Sequence, residues 1–167
     1  MINKPLLIFT MGLDDTPEVN VGRLFLVDLD KGVRDENKWQ CTSGVGAWQG
    51  NKDWNKVGGG VIPPTYKLNP NIGFYLVSTK PRFQNLSGIE TNTYEISPES
   101  VHTSEGVNRS ELLIHKARYD ELSRIASLGC IVLPASEFSG RSDTFEETFA
   151  RECGQYESVK LLVLYTF

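Results

Sequence analysis

The sequence predicts a mainly β single domain of largely antiparallel strands with one or two short helices. Three observations lead there. Its apolar runs are short and end in turn formers, as at residues 22–29, 131–133 and 159–166, which is the pattern of buried strands. The segments between them are β-branched and aromatic, as at 73–79 and 93–96. Helical spacing of apolar residues is confined to two places, 119–125 and 142–153. With 167 residues, 40% hydrophobic and 23% charged, the chain is large enough to bury a core without staples.

Taken in order, residues 5–9 read as a first strand or an N-terminal arm, and 10–21, with Gly, Asp, Pro and Asn, as loop. Residues 22–29 are apolar on both faces and read as a central strand. Asp30-Lys31-Gly32 is a turn returning to a second strand at 39–42. Residues 43–60 hold six glycines with Trp48 and Trp54: either a flap whose indoles contact a sugar or peptide, or a loop pinned by buried indoles. Gly58-Gly59-Gly60 is not a phosphate loop, because no Gly-Lys-Ser/Thr follows. Pro63-Pro64 rigidifies the entry to a strand at 66–68. Residues 97–110 are polar and read as a long surface loop carrying a solvent-exposed His102. Tyr119, Leu122 and Ile125 place a short helix on the sheet, with Asp120 and Arg124 paired at i, i+4. Residues 142–153 form an amphipathic helix. Asp143 with Glu146, or Thr144 with Glu147, starts it, Gly154 stops it, and Phe145, Phe149 and Cys153 share its buried face. A last strand spans 159–166.

The chemistry centres on His115 and Cys130. Each lies at an apolar run, and the stretch between them is long enough to leave one strand and return beside it. A thiol and an imidazole can then meet in space, which is what a cysteine nucleophile needs. A free thiol, with a pKa of about 8.5, is mostly protonated at neutral pH, and a neighbouring histidine removes its proton or stabilises the thiolate. Gly129 lets the backbone approach a substrate closely, so that main-chain N–H groups beside Cys130 face a developing oxyanion. The alternative is a core cysteine, because the residue type is commonly buried. Lys116 and Arg118 beside the histidine either bind a substrate carboxylate or are solvated charges.

The run Ser127-Leu128-Gly129-Cys130-Ile131, whose cysteine is separated from His115 by fourteen intervening residues, resembles the signature of L,D-transpeptidase (YkuD-type) catalytic domains. Cys41-Thr42-Ser43-Gly44 is similar to the strand-end Ser/Thr-Gly of that family. The stretch from Gly60 through Pro63-Pro64-Thr65-Tyr66 to Leu68 is similar to its Pro-x-Gly-x-Tyr stretch. The likeness covers roughly residues 22–135, in order. Leu128 replaces the second signature histidine and Val132 its Asn or Arg, and the glycine between proline and Thr-Tyr is missing. The pattern is closest to the divergent, effector-like branch.

The resemblance implies a β-sandwich domain and acyl transfer on peptidoglycan stem peptides. Cys130 is the implied nucleophile and His115 the base, steered by the carbonyl of Lys116, with Ser127 and Gly129 shaping the oxyanion site. Tyr66, Trp48 and Arg118 are candidate substrate contacts. The reaction is expected to run without metal or organic cofactor, as transpeptidation, D-amino-acid exchange or L,D-carboxypeptidase cleavage. Rival readings are a non-catalytic wall-binding module of the same fold and another amidase-type cysteine peptidase.

Seventeen basic against twenty-one acidic residues, net charge −4 with no basic run, argues against a nucleic-acid partner. No stretch approaches a membrane span. The first residues lack a cleavage pattern, so the expected enzyme carries no visible signal and reaches the periplasm or wall by export, delivery or lysis. A monomer, and an immunity or secretion partner, fit that placement. Cys41, Cys130 and Cys153 are an odd set; a Cys41–Cys153 bridge is open and reduced thiols are the default. Two histidines are too few for a zinc site.

Overall fold

The computed structural model describes residues 4–13, 19–44, 49, 53–55, 60–70, 72–98, 100–120 and 129–166, with the backbone alone at 33–36 and 53. Twelve strands and two helices are present among them. The strands are β1 (Leu6–Gly12), β2 (Gly22–Asp28), β3 (Gly32–Ser43), β4 (Leu68–Asn69), β5 (Tyr75–Ser78), β6 (Arg82–Leu86) and β7 (Ile89–Ser97). They continue with β8 (Ser100–Thr103), β9 (Asn108–Ser110), β10 (Leu113–Lys116), β11 (Ile131–Leu133) and β12 (Ser158–Thr166). The helices are α1 (Ala135–Phe138) and α2 (Phe145–Cys153).

Mainly β is therefore what the chain is, but the expected sandwich is not. The strands run β10-β11-β3-β2-β1-β12-β5-β7, and β7 pairs back onto β10, closing an eight-stranded barrel. Closure follows from the length of β7. One flank of it pairs first with β6 and then with β5, while residues 93–95 on the other flank pair with β10. Two pairs are parallel, β1 with β12 and β10 with β11; the rest are antiparallel. A β4-β8-β9 sheet stands beside the barrel.

Alternation builds the core. Leu7, Phe9 and Met11 of β1 point inward beside Leu24 and Leu26 of β2 and Val159, Leu161, Val163 and Tyr165 of β12, all buried. At the end of the barrel where β11 runs into α1, Phe145 and Phe149 of α2 sit edge-on to Tyr94, and Phe145 edge-on to Trp39. Thr144 is the N-cap of α2, its hydroxyl bonded to the Glu147 carboxylate, and Gly154 follows the last turn. At the opposite end, residues 61–65 are buried and Trp54 stacks on Tyr165.

Several elements depart from expectation. Residues 97–110 are not a surface loop: they contain the β8–β9 hairpin, where buried Val101, Thr103 and Arg109 alternate with exposed neighbours. Residues 65–67 form a 3-10 turn rather than a strand, with β4 following. Trp54 is a buried anchor, whereas Trp48, Ser127, Leu128 and most of the expected 119–125 helix lie outside the described residues. Cys41, Cys130 and Cys153 are all free thiols.

Candidate active site

His115 and Cys130 stand on adjacent parallel strands. Ile114 pairs with Ile131 and His115 with Val132, so Cys130 lies just before the first residue of β11, beside Leu113. Ile114, Ile131 and Leu133 face the core, which turns His115, Cys130 and Val132 to the outer wall. There a groove of about 760 Å3 runs from the tip of the β6–β7 hairpin past His115 to Cys130. Both residues line it, with Thr93, Glu95 and Glu111 on its walls and Lys80 and Arg82 along one side. The crossover between the two strands thus brings the expected pair to one cavity.

The imidazole is oriented by the main chain. His115 Nδ1 lies 2.9 Å from the carbonyl oxygen of Lys116. A carbonyl only accepts, so Nδ1 carries the proton and Nε2 holds the lone pair. The Lys116 N–H is in turn bonded to Thr91 Oγ1 at 3.1 Å, fixing that peptide. His115 is 7% exposed, and burial holds its pKa below the ordinary imidazole value, the Lys116 carbonyl pulling the other way.

The thiol is also neutral at rest. Burial pushes Cys130 up to about 11; the Leu113 main chain and the Arg109 charge oppose that rise, and Glu111 adds to it. Its Sγ–H donates to the Glu111 carbonyl at 3.7 Å. Glu111 has φ +56, a left-handed conformation uncommon for a residue with a Cβ, which aims that carbonyl at the sulfur.

Three separated stretches meet behind the cysteine. Ser43, the last residue of β3, donates from Oγ to the Gly129 carbonyl at 3.2 Å and accepts from the Ile62 N–H at 2.9 Å. The strap containing Ile62 is held by Tyr165 OH on the Ile62 carbonyl (2.6 Å) and Tyr75 OH on the Pro63 carbonyl (2.7 Å). Thr65, which follows Pro64 directly where the family glycine is missing, donates from Oγ1 to the Val163 carbonyl at 3.3 Å. Gly129 has φ +113, and a Cβ there would overlap Arg109 Nη2, so no other residue fits without displacement.

The remaining candidates lie elsewhere. Tyr66 is 45% exposed on the 3-10 turn and does not line the groove. Arg118 donates from Nη2 to the Ser87 carbonyl at 2.5 Å, bracing the hairpin tip. The side chain of Lys116 borders a separate small pocket beside Phe83 and Glu146. Val132, in the place of the signature Asn or Arg, is buried against Ala117 and Cys130. Arg109 and Glu111 escaped the sequence reading. An arginine in a polar run carries no mark of burial, and a positive φ at a glutamate has no sequence signal. Among the described residues no group of His, Cys, Asp or Glu is arranged to hold a metal ion. Among the described residues no helix is long and apolar enough to cross a membrane. Comparison with protein-family models, curated proteins and solved structures gives no match.

Proposed function

We propose that this protein is a cysteine acyltransferase of the L,D-transpeptidase type, acting on peptidoglycan stem peptides in the periplasm or wall. One observation supports the reading above the others. The three stretches that carry the resemblance are joined at Ser43, Ile62 and Gly129 by the single Ser43 hydroxyl, beside a groove shared by Cys130 and His115.

In the proposed reaction His115 Nε2 takes the Sγ proton as sulfur attacks the carbonyl carbon joining an L-centre to a terminal D-amino acid. The resulting oxyanion is assigned to the main-chain N–H groups at Gly129 and Cys130. Collapse breaks the C–N bond, and the departing amine takes the proton from His115, leaving a thioester on Cys130. An incoming amine, or water, gives a proton to His115 and attacks the thioester. Sulfur leaves and regains the proton, with a cross-linked, exchanged or hydrolysed product. No metal or organic group enters this sequence.

The neutral resting pair favours a second reading, a wall-binding module with the same fold and no turnover. With the thiol at about 11, roughly one sulfur in ten thousand is ionised at pH 7. A carbapenem followed by intact mass, and purified tetrapeptide muropeptides followed by product mass, separate the two. Acylation at Cys130 with release of a D-amino acid is the enzyme's result. An inert thiol with retained sedimentation on sacculi is the module's. Cys130→Ala is expected to remove product formation while leaving the thermal transition in place; undiminished turnover in that variant refutes the assignment.

A further inference from the structure

Arg109 is 3% exposed, on a strand outside the barrel. Its Nη1 donates to the carbonyls of Trp54 (2.6 Å) and Val61 (2.9 Å), and its Nη2 to that of Gly60 (3.1 Å). These three acceptors are neutral main-chain carbonyls, and the bonds to them fix the orientation of the fork. The same Nη2 occupies the space a Cβ at Gly129 would need, one residue before Cys130. A buried cation beside that turn acts through a low local dielectric, and the Arg109 charge favours the ionised form of the Cys130 thiol.

We infer that Arg109 is a positioning residue that holds the Gly129–Cys130 turn and supplies the positive charge against which the Cys130 thiolate forms. Its proposed role is exercised through the nucleophile. The inference rests on Cys130 being the nucleophile and assigns it an electrostatic partner outside the resemblance. Other ionisable groups face this pair. The hydroxyls of Tyr75 and Tyr165 stand near Arg109, both held protonated by burial. Glu111 opposes ionisation of Cys130, and His115 lies across the groove. Among these side chains Arg109 is the one that favours the thiolate.

The test is the rate of iodoacetamide alkylation at Cys130, followed by peptide mass from pH 7 to 10. Cys41 and Cys153 are fully buried and are read separately. In Arg109→Gln the log-rate line is expected to shift to higher pH, leaving alkylation at pH 8.5 roughly threefold or more slower. A unit rise in thiol pKa costs about tenfold in thiolate and returns part of it as nucleophilicity. Arg109→Lys, which keeps the charge, is expected to stay near wild type. A strut alone predicts the opposite sign, because a loosened turn exposes sulfur and speeds alkylation. Rates in folded Arg109→Gln that equal or exceed wild type overturn the inference, as does an Arg109→Lys line displaced as far as that of Arg109→Gln. Should Arg109→Gln not fold, citrulline incorporated at position 109 keeps the fork and removes the charge, and an unshifted line then overturns it. The readout needs no substrate, so failure here is distinct from failure of muropeptide turnover.

Discussion

A proton placed on His115 has nowhere favourable to go, since Nδ1 is committed to the Lys116 carbonyl and the ring is buried. Its folded pKa lies below that of the unfolded chain, so the unfolded state binds the proton first as pH falls. Stability from this group is complete above about pH 6.5 and declines as pH drops through the folded value. Urea midpoints are expected to fall on acidification from pH 6.5 to 5, and His115→Gln to flatten that slope; an unchanged slope in the variant removes His115 as the cause. In the proposed reaction, neutral thiol and neutral imidazole would be the active forms. The pH–rate plateau should extend from the His115 acid limb toward pH 10, whereas a thiolate–imidazolium pair gives a narrow bell. Gly129→Ala should cost more than about 2 kcal/mol, since it adds left-handed strain to a clash with Arg109, and a thermal melt checks it. Of the candidate site, the sharing of one groove by Cys130 and His115 was expected from the sequence because thiol and imidazole are scarce, reactive types. Arg109 and Glu111 were not, because their roles come from burial and a backbone angle.

The β6–β7 hairpin is the element that turns an exposed wall into a groove. Residues 82–86 pair with 89–93, and the tip is braced by Arg118 on the Ser87 carbonyl. Ser87 itself has φ +52, so the turn depends on external support to persist. On the proposed function, Arg118→Ala is expected to raise KM for a muropeptide several-fold while leaving Cys130 alkylation at its wild-type rate, because the hairpin tip lines the groove away from the thiol. A changed alkylation profile would place Arg118 in the nucleophile's field instead. Legibility among the elements followed alternation. α2 carried Phe145, Phe149 and Cys153 at helical spacing, and strands such as β12 alternate buried and exposed residues over nine positions. The β8–β9 hairpin stayed hidden because its exposed positions, Ser100, His102, Asn108 and Ser110, are polar and its buried ones include Thr103 and Arg109. β6 hid for a related reason, having no fully buried residue at all.

At the scale of the molecule, the difference between a sandwich and a barrel rests on one pairing, Leu113–His115 with Thr93–Glu95. Both architectures ask for the same inward alternation, so hydrophobic pattern alone does not separate them. The closed wall has a consequence for pH. It buries Cys41, Cys153 and the hydroxyls of Tyr75, Tyr94 and Tyr165 and leaves Cys130 half-buried on its outer face, and desolvation raises the pKa of every one; Cys153 is pushed up to about 12. Raised folded values mean that the protonated forms belong to the native state, while the unfolded chain releases protons from about pH 8.5 for thiols and about 10 for tyrosines. Stability from these groups is therefore complete below about pH 8 and is lost as pH rises. Urea midpoints should be level between pH 7 and 8, begin to fall near 8.5, and steepen above 10 as the tyrosines join. Cys153→Ala removes one of these protons without a new polar group, so its alkaline slope should be shallower than wild type by one proton per molecule. Midpoints that remain level to pH 11 would mean that the thiols are solvated, and an open wall of that kind leaves Cys130 without the dry setting its proposed chemistry uses.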